Sequence, residues 1–172
     1  MPNWCSNNLT LRHKDTAKLN AAIAAFEDGR FLEHFVPLPD DKWEYGFCCE
    51  NWGTKWDVGG SDSVYTVRGD KTVQFAFDSA WSPPIEAYRA MREQGFDVVA
   101  TYYEPGIAFV GKWDNGVDDC YEYGGETSDT VRDLIGEELD DEYGISEAMA
   151  EWEDEQDLEE LHEEYKFPPH TD

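Results

Sequence analysis

Three features of this 172-residue chain predict an α+β fold: a ferredoxin-like sandwich with an extended antiparallel sheet, plus an acidic helical C-terminal extension. The order of periodic segments is strand, helix, strand hairpin, helix, strand. Aromatic residues make up 15% of the chain, and most precede residue 125, so that part must bury a core rather than stay disordered. Charge is the third feature. From Trp113 to Asp172 there are 23 acidic and two basic residues, a net −21, whereas Met1 to Lys112 carries 16 acidic and 11 basic residues, a net −5.

Each element has its own signal. Leu9 and Leu11 alternate with Thr10 and Arg12, the half-buried strand period, over Trp4 to Arg12. Asp15 or Thr16 can cap a helix through about Phe26, with Leu19, Ala22, Ile23 and Phe26 at helical spacing and Gly29 as its stop. Phe31 to Leu38 runs into Pro37 and Pro39, and a long irregular stretch rich in Trp, Gly, Asp and Cys follows. Val64 to Val67 and Thr72 to Phe77 flank a turn at 68–71 and read as a hairpin, with Val73, Phe75 and Phe77 on one face. Ser82 is an N-cap candidate and Pro83 suits a first turn. Ile85, Tyr88 and Met91 then form a buried stripe that ends at Gly95. Asp97 to Tyr103, Ile107 to Trp113 and Val117 to Tyr123 complete the sheet, the last two joined by the hairpin signal Asn115-Gly116.

After Gly124-Gly125 the character changes, so residues 1–125 are read as the ferredoxin-like domain and 126–172 as the acidic extension. Thr127 or Ser128 should cap a helix presenting Val131, Leu134, Ile135 and Leu139. Ser146 should cap another that carries Ala148, Met149, Trp152, Leu158, Leu161 and Tyr165. No internal repeat is present.

Composition narrows the function classes. No apolar run approaches the roughly 18 residues of a membrane helix. Met1 to Cys5 lacks the basic and apolar regions of a secretion signal, so a cytoplasmic location with reduced thiols is expected. Cys5, Cys48, Cys49 and Cys120 fit no zinc spacing, and neither a metal nor a cofactor is expected. Asp114, Asp118 and Asp119 miss the alternating ligand pattern of an EF-hand, and Gly125 stands where its closing Glu would be; at most a loose calcium contact remains. Strand aromatics such as Phe75, Phe77, Tyr102 and Tyr103 could stack bases, but a net negative body offers no phosphate footprint, so direct nucleic-acid binding is not expected. No nucleophile signature surrounds the cysteines, His13 or His34, and a non-enzymatic role is expected.

Four stretches carry a resemblance: Met1 to Asn7 (Met-Pro-Asn-Trp-Cys-Ser-Asn), Glu50 to Asp57 (Glu-Asn-Trp-Gly-Thr-Lys-Trp-Asp), Ala80 to Pro84 (Ala-Trp-Ser-Pro-Pro), and Tyr102 to Gly106 (Tyr-Tyr-Glu-Pro-Gly). Together they resemble the YubB-like family of uncharacterised proteins, found mainly on conjugative plasmids and phages. The resemblance spans residues 1–125. It implies a ferredoxin-like domain and a mobile-element origin, and it carries no catalytic residue.

Two sets of residues are candidates for function. Asn51, Trp52, Thr54, Lys55 and Trp56 place an amide, a hydroxyl, an ammonium and two indoles within a few residues. They could hold a small ligand or nucleotide by stacking and charge, or simply close one end of the sheet. The second set is acidic: Glu137 and Asp141, and the row Glu151, Glu155, Glu159 and Glu163, each four apart. Along a helix that row is an edge about 18 Å long, with a step of about 6 Å, similar to the spacing of phosphates along a strand. Like charges at this spacing weaken a helix, and almost no Lys or Arg relieves them. The expected partner is therefore a basic host protein. Given the mobile-element resemblance, a nucleic-acid-binding defence nuclease or restriction enzyme is the natural target, bound by a DNA mimic.

Overall fold

A computed structural model describes residues 2–61 and 63–166, with side chains in the last helix described through residue 159. The architecture is α+β, and the chain divides into two compact units, residues 1–122 and 123–172.

The first unit is built on a six-stranded antiparallel sheet in the order β2-β3-β1-β4-β5-β6. Its strands are β1 (Trp4–Arg12), β2 (Val64–Val67), β3 (Thr72–Ala80), β4 (Asp97–Glu104), β5 (Phe109–Asp114) and β6 (Val117–Glu122). The helices of this unit are α1 (Thr16–Glu27), α2 (Phe31–Phe35), α3 (Tyr45–Asn51) and α4 (Ile85–Glu93). The apolar alternation read in the sequence is the pleat itself. Cys5, Leu9 and Leu11 of β1, Val73, Phe75 and Phe77 of β3, and Val98 and Ala100 of β4 are all buried. Phe26 and Phe31 meet Phe75 over this face, each with ring centroids 4.8 Å from it.

Asp15 caps α1, its carboxylate accepting from the Ala17 amide at 3.0 Å. Two helix readings change. The irregular stretch contains α3, started by Glu44, whose carboxylate accepts from the amides of Gly46 and Phe47; its Tyr, Gly, Phe and Cys residues are indifferent helix formers, so propensity gave no cue. Ser82 does not cap α4. Pro84 occupies that position without a side-chain cap, and the Ser82 hydroxyl donates to Gly53 O at 2.6 Å instead.

The second unit contains α5 (Ser128–Ile135), α6 (Glu137–Tyr143) and α7 (Ile145–Lys166). Thr127 and Thr130 form a capping box on α5. The expected single helix through Leu139 is two helices, because Gly136 takes a positive φ of 85° and interrupts the ladder. Ser146 is not the N-cap of α7, which begins at Ile145. Its amide and hydroxyl both donate to Asp140, each at 2.7 Å.

Candidate functional site

The stretches that carry the family resemblance lie far apart in sequence, yet they are joined by hydrogen bonds and close contacts. Asn3 O accepts from the Trp81 amide at 2.8 Å. The Thr54 hydroxyl donates to Ala80 O at 2.9 Å, and Trp52 O accepts from the Ala87 amide at 3.2 Å. That last bond satisfies one of the orphan N–H groups at the start of α4, a job the missing side-chain cap leaves open. Gly53 makes the approach possible. Its φ is +85°, and a Cβ there would lie 3.0 Å from the Ile85 nitrogen. Asn3 also packs against Gly106, where Glu104 accepts from the Gly106 and Ile107 amides at 2.6 and 2.9 Å.

The five ligand-site candidates divide by burial. Trp52 is 1% exposed, and its indole N–H donates to Val36 O at 2.9 Å. Thr54 is buried, and the Asn51 amide donates back to Phe47 O. The polar side-chain groups of these three are bonded to backbone carbonyls within the fold. Lys55 and Trp56 instead reach the surface. The Lys55 ammonium sits 4.4 Å from the Trp56 ring centroid and 5.1 Å from that of Trp81. Trp4 packs on Trp56 with centroids 6.1 Å apart, and the Trp43 indole donates to Lys55 O at 3.1 Å. Trp4, Trp43, Trp56 and Trp81 are between 37% and 51% exposed. Three of these indoles lie outside the candidate segment. The signal that could have found them was the excess of tryptophan itself, seven in the chain.

A groove of about 350 Å³ opens beside Gly53 and Ser82, lined also by Cys49, Tyr102, Asp118 and Cys120; Lys55 does not line it. The Tyr102 hydroxyl donates to Asp118 at 2.6 Å, and burial together with that carboxylate raises its pKa. Burial pushes the Cys5 thiol up to about 12 and raises those of Cys48 and Cys120 as well. These three sulfurs are therefore protonated thiols at neutral pH, poor nucleophiles. Burial also lowers the pKa of His34. His13 accepts from the Asp15 amide at 2.9 Å, at the start of α1. Asp57 receives the amides of Leu32, Glu33 and Val58 at 2.6–2.9 Å. Burial raises its carboxyl pKa, against the pull of those three donors. Among the described residues, no group of three or more His, Cys, Asp and Glu could hold a metal ion. No described helix is long and apolar enough to cross a membrane.

In the second unit the acidic candidates are on the surface. Glu137, Asp141, Glu151, Glu155 and Glu159 are exposed, while Glu163 lies outside the residues whose side chains are described. Asp141 is bound to Arg132 at 2.7 Å, and the same guanidinium takes the buried Asp140 at 2.7 Å and Glu137 at 3.6 Å. Arg132 is thus spent on three carboxylates, and the row on α7 has no described base opposite it.

No family model and no curated protein matches this chain. Among solved structures it is similar to protein api92 from Yersinia pseudotuberculosis, described under the family DUF1281. The identity is 12% and the TM-score 0.46, with 73% of this chain and 99% of that one covered.

Proposed function

We propose that this chain is a non-enzymatic, cytoplasmic binding protein whose acidic helical unit engages a basic host protein. The observation that carries this reading is the exposed row Glu151, Glu155 and Glu159 on one helix. Beside it, Trp152 and Leu158 are 61% and 62% exposed. A face that gathers like charges four apart accepts a cost in helix stability, and an apolar rim beside it gives a partner something to bury as well as something to neutralise. The partner class is a nucleic-acid-binding defence protein whose groove the row would occupy as a DNA mimic.

We read the body as ferredoxin-like. The order β2-β3-β1-β4, with α1 following β1 and α4 joining β3 to β4, supports that reading; β5 and β6 extend the sheet. Membership of the YubB-like family and a plasmid or phage origin rest on the four stretches described above. That these stretches are bonded together in space favours their being one functional or structural unit.

The test is a pull-down from host lysate at low and high salt, followed by competition of the captured protein with DNA. Exposed charges are screened beyond about 8 Å at physiological salt, so capture should fall steeply as salt rises. Changing Glu151, Glu155, Glu159 and Glu163 together to Gln keeps their size and removes four charges. Binding should weaken and association slow, because steering is lost. A variant that binds the partner and blocks DNA as well as the parent overturns the reading.

A further inference from the structure

The exposed indoles around Lys55 are an unusual surface to leave in water. Four of the seven tryptophans of the chain are gathered there by contacts with one another or with Lys55. Trp81 is held at a φ of +67°, in the left-handed region that a bulky residue occupies only under strain. A glycine would remove that strain, yet the position carries a ring that is 40% exposed and lies against the Lys55 ammonium. Core packing does not account for a strained side chain that faces outward.

Lys55 defines the chemistry. Among the described residues, its ammonium has two ring faces for partners and no carboxylate. Asp57, two residues on, is occupied by three backbone amides. The rings fix the ammonium without neutralising it, so its N–H donors remain able to take an anion. Flat π-faces beside an uncompensated cation match a ligand that is itself planar and anionic. The charge elsewhere on the chain is screened beyond about 8 Å, so the local group decides which ion binds.

We propose that Trp4, Trp43, Trp56 and Trp81 around Lys55 form a binding site for a nucleoside monophosphate, its base stacked on the exposed indoles and its phosphate on Lys55. Indoles accept any base face, so the site selects for a base joined to a phosphate rather than for one base. The proposal stands independently of the acidic unit.

The test is tryptophan-fluorescence and calorimetric titration of the full chain with AMP, adenosine and inorganic phosphate. AMP should quench fluorescence and bind more tightly than adenosine, and phosphate alone should compete without quenching. Lys55→Met should weaken AMP about tenfold, the size of a lost charge-assisted hydrogen bond, and leave adenosine unchanged. Trp81→Gly should relax the backbone, keep or raise the melting temperature, and weaken both AMP and adenosine. The fourfold Glu-to-Gln variant should bind AMP like the parent, which separates this site from the partner-binding surface. The proposal is overturned if AMP does not bind at millimolar concentration, or if Lys55→Met and Trp81→Gly bind it as the parent does. It is also overturned if sedimentation shows a dimer that Trp81→Gly dissociates, because the rings would then serve a second copy of the chain.

Discussion

The two units of this chain manage polar groups in opposite ways. The body (residues 1–122) buries them and satisfies them locally. Under the sheet, the Tyr88 hydroxyl donates to Asn7, whose amide donates to Ser79 Oγ and to Cys5 O, while the Ser79 hydroxyl donates to Ser82 O. Such a network is costly to leave incomplete, and it ties the start of β1 to the end of β3 and to α4. The acidic unit leaves most of its charge in solvent and pairs polar groups at a few points: the capping box at Thr127, the Glu153 carboxylate accepting from the Ser128 amide and hydroxyl at 2.9 and 2.5 Å, and the Arg132–Asp140–Ser146 cluster around the buried Asp140. The body packs a broad aromatic and aliphatic core, whereas the second unit buries a smaller apolar set that includes Val131, Ile135, Leu139 and Ile145.

The largest effect that would sharpen this contrast lies in the body. Trp52→Ala should cost about 3–5 kcal/mol, as for a core aromatic, because it empties a fully buried site and strands the Val36 carbonyl. Trp56→Ala, four residues on, loses a cation–π contact at an exposed site worth about 0.5–1 kcal/mol. Paired urea melts of the two variants check this. Similar midpoints would show that the segment is uniformly core.

A smaller effect belongs to the acidic unit. Burial alone would raise the Asp140 carboxyl, but the Ser146 hydroxyl and amide and the Arg132 guanidinium together hold it below its ordinary pKa. A carboxylate whose pKa is lowered by folding stabilises the fold above its unfolded value, and that contribution is lost as pH falls through the folded value. Helical signal from α5 to α7 should therefore decline in acid, below about pH 4. Asp140→Ala should remove about 1–3 kcal/mol at neutral pH and flatten that acid transition, with the near-UV tryptophan signal of the body intact. A body that melts together with this variant would show that the two units fold as one.

Truncation asks the same question more directly. A chain ending at Gly125 should keep cooperative melting and its near-UV signal, because the main core cluster draws only on residues of the first unit. A molten product would place the domain boundary elsewhere.

Much of the α+β order with its antiparallel sheet was legible beforehand, and the exceptions have separate causes. Alternation placed β1 and β3, since one face of each strand must be apolar, and the β-forming run Asp97 to Tyr103 placed β4. Asn115-Gly116 placed the β5–β6 turn, where both residues take positive φ. What stayed hidden was set in some places by local backbone and capping choices and in others by distant partners. α3 depends on a Glu44 cap without good helix formers behind it. Ser82 abandoned its expected capping role because Gly53 O lies within reach of its hydroxyl. Gly136 split a helix whose apolar spacing runs through it. In the candidate segment, Trp52 and Trp56 are four apart, and only the fold turns one inward and the other out. Trp4, Trp43 and Trp81 join Lys55 through tertiary contacts that no local window contains.

The smallest effect bears most directly on why the acidic helix has this composition. Glu155 lies between Glu151 and Glu159 on α7, and all three are exposed. Glu155→Lys would replace two like-charge pairs at i,i+4 with two opposite pairs. The pair made with Glu151 runs in the favourable direction, with the acid on the N-terminal side of the introduced base. Each pair changes helix stability by about 0.3–0.5 kcal/mol, so the unit should gain roughly 1 kcal/mol at low salt and less at high salt. If the row exists to meet a basic partner, the same variant should hold that partner more weakly while melting at a higher temperature. A gain in stability with no loss of binding would mean that the charges serve solubility alone. A loss of both would place Glu155 in an internal contact of the helical unit.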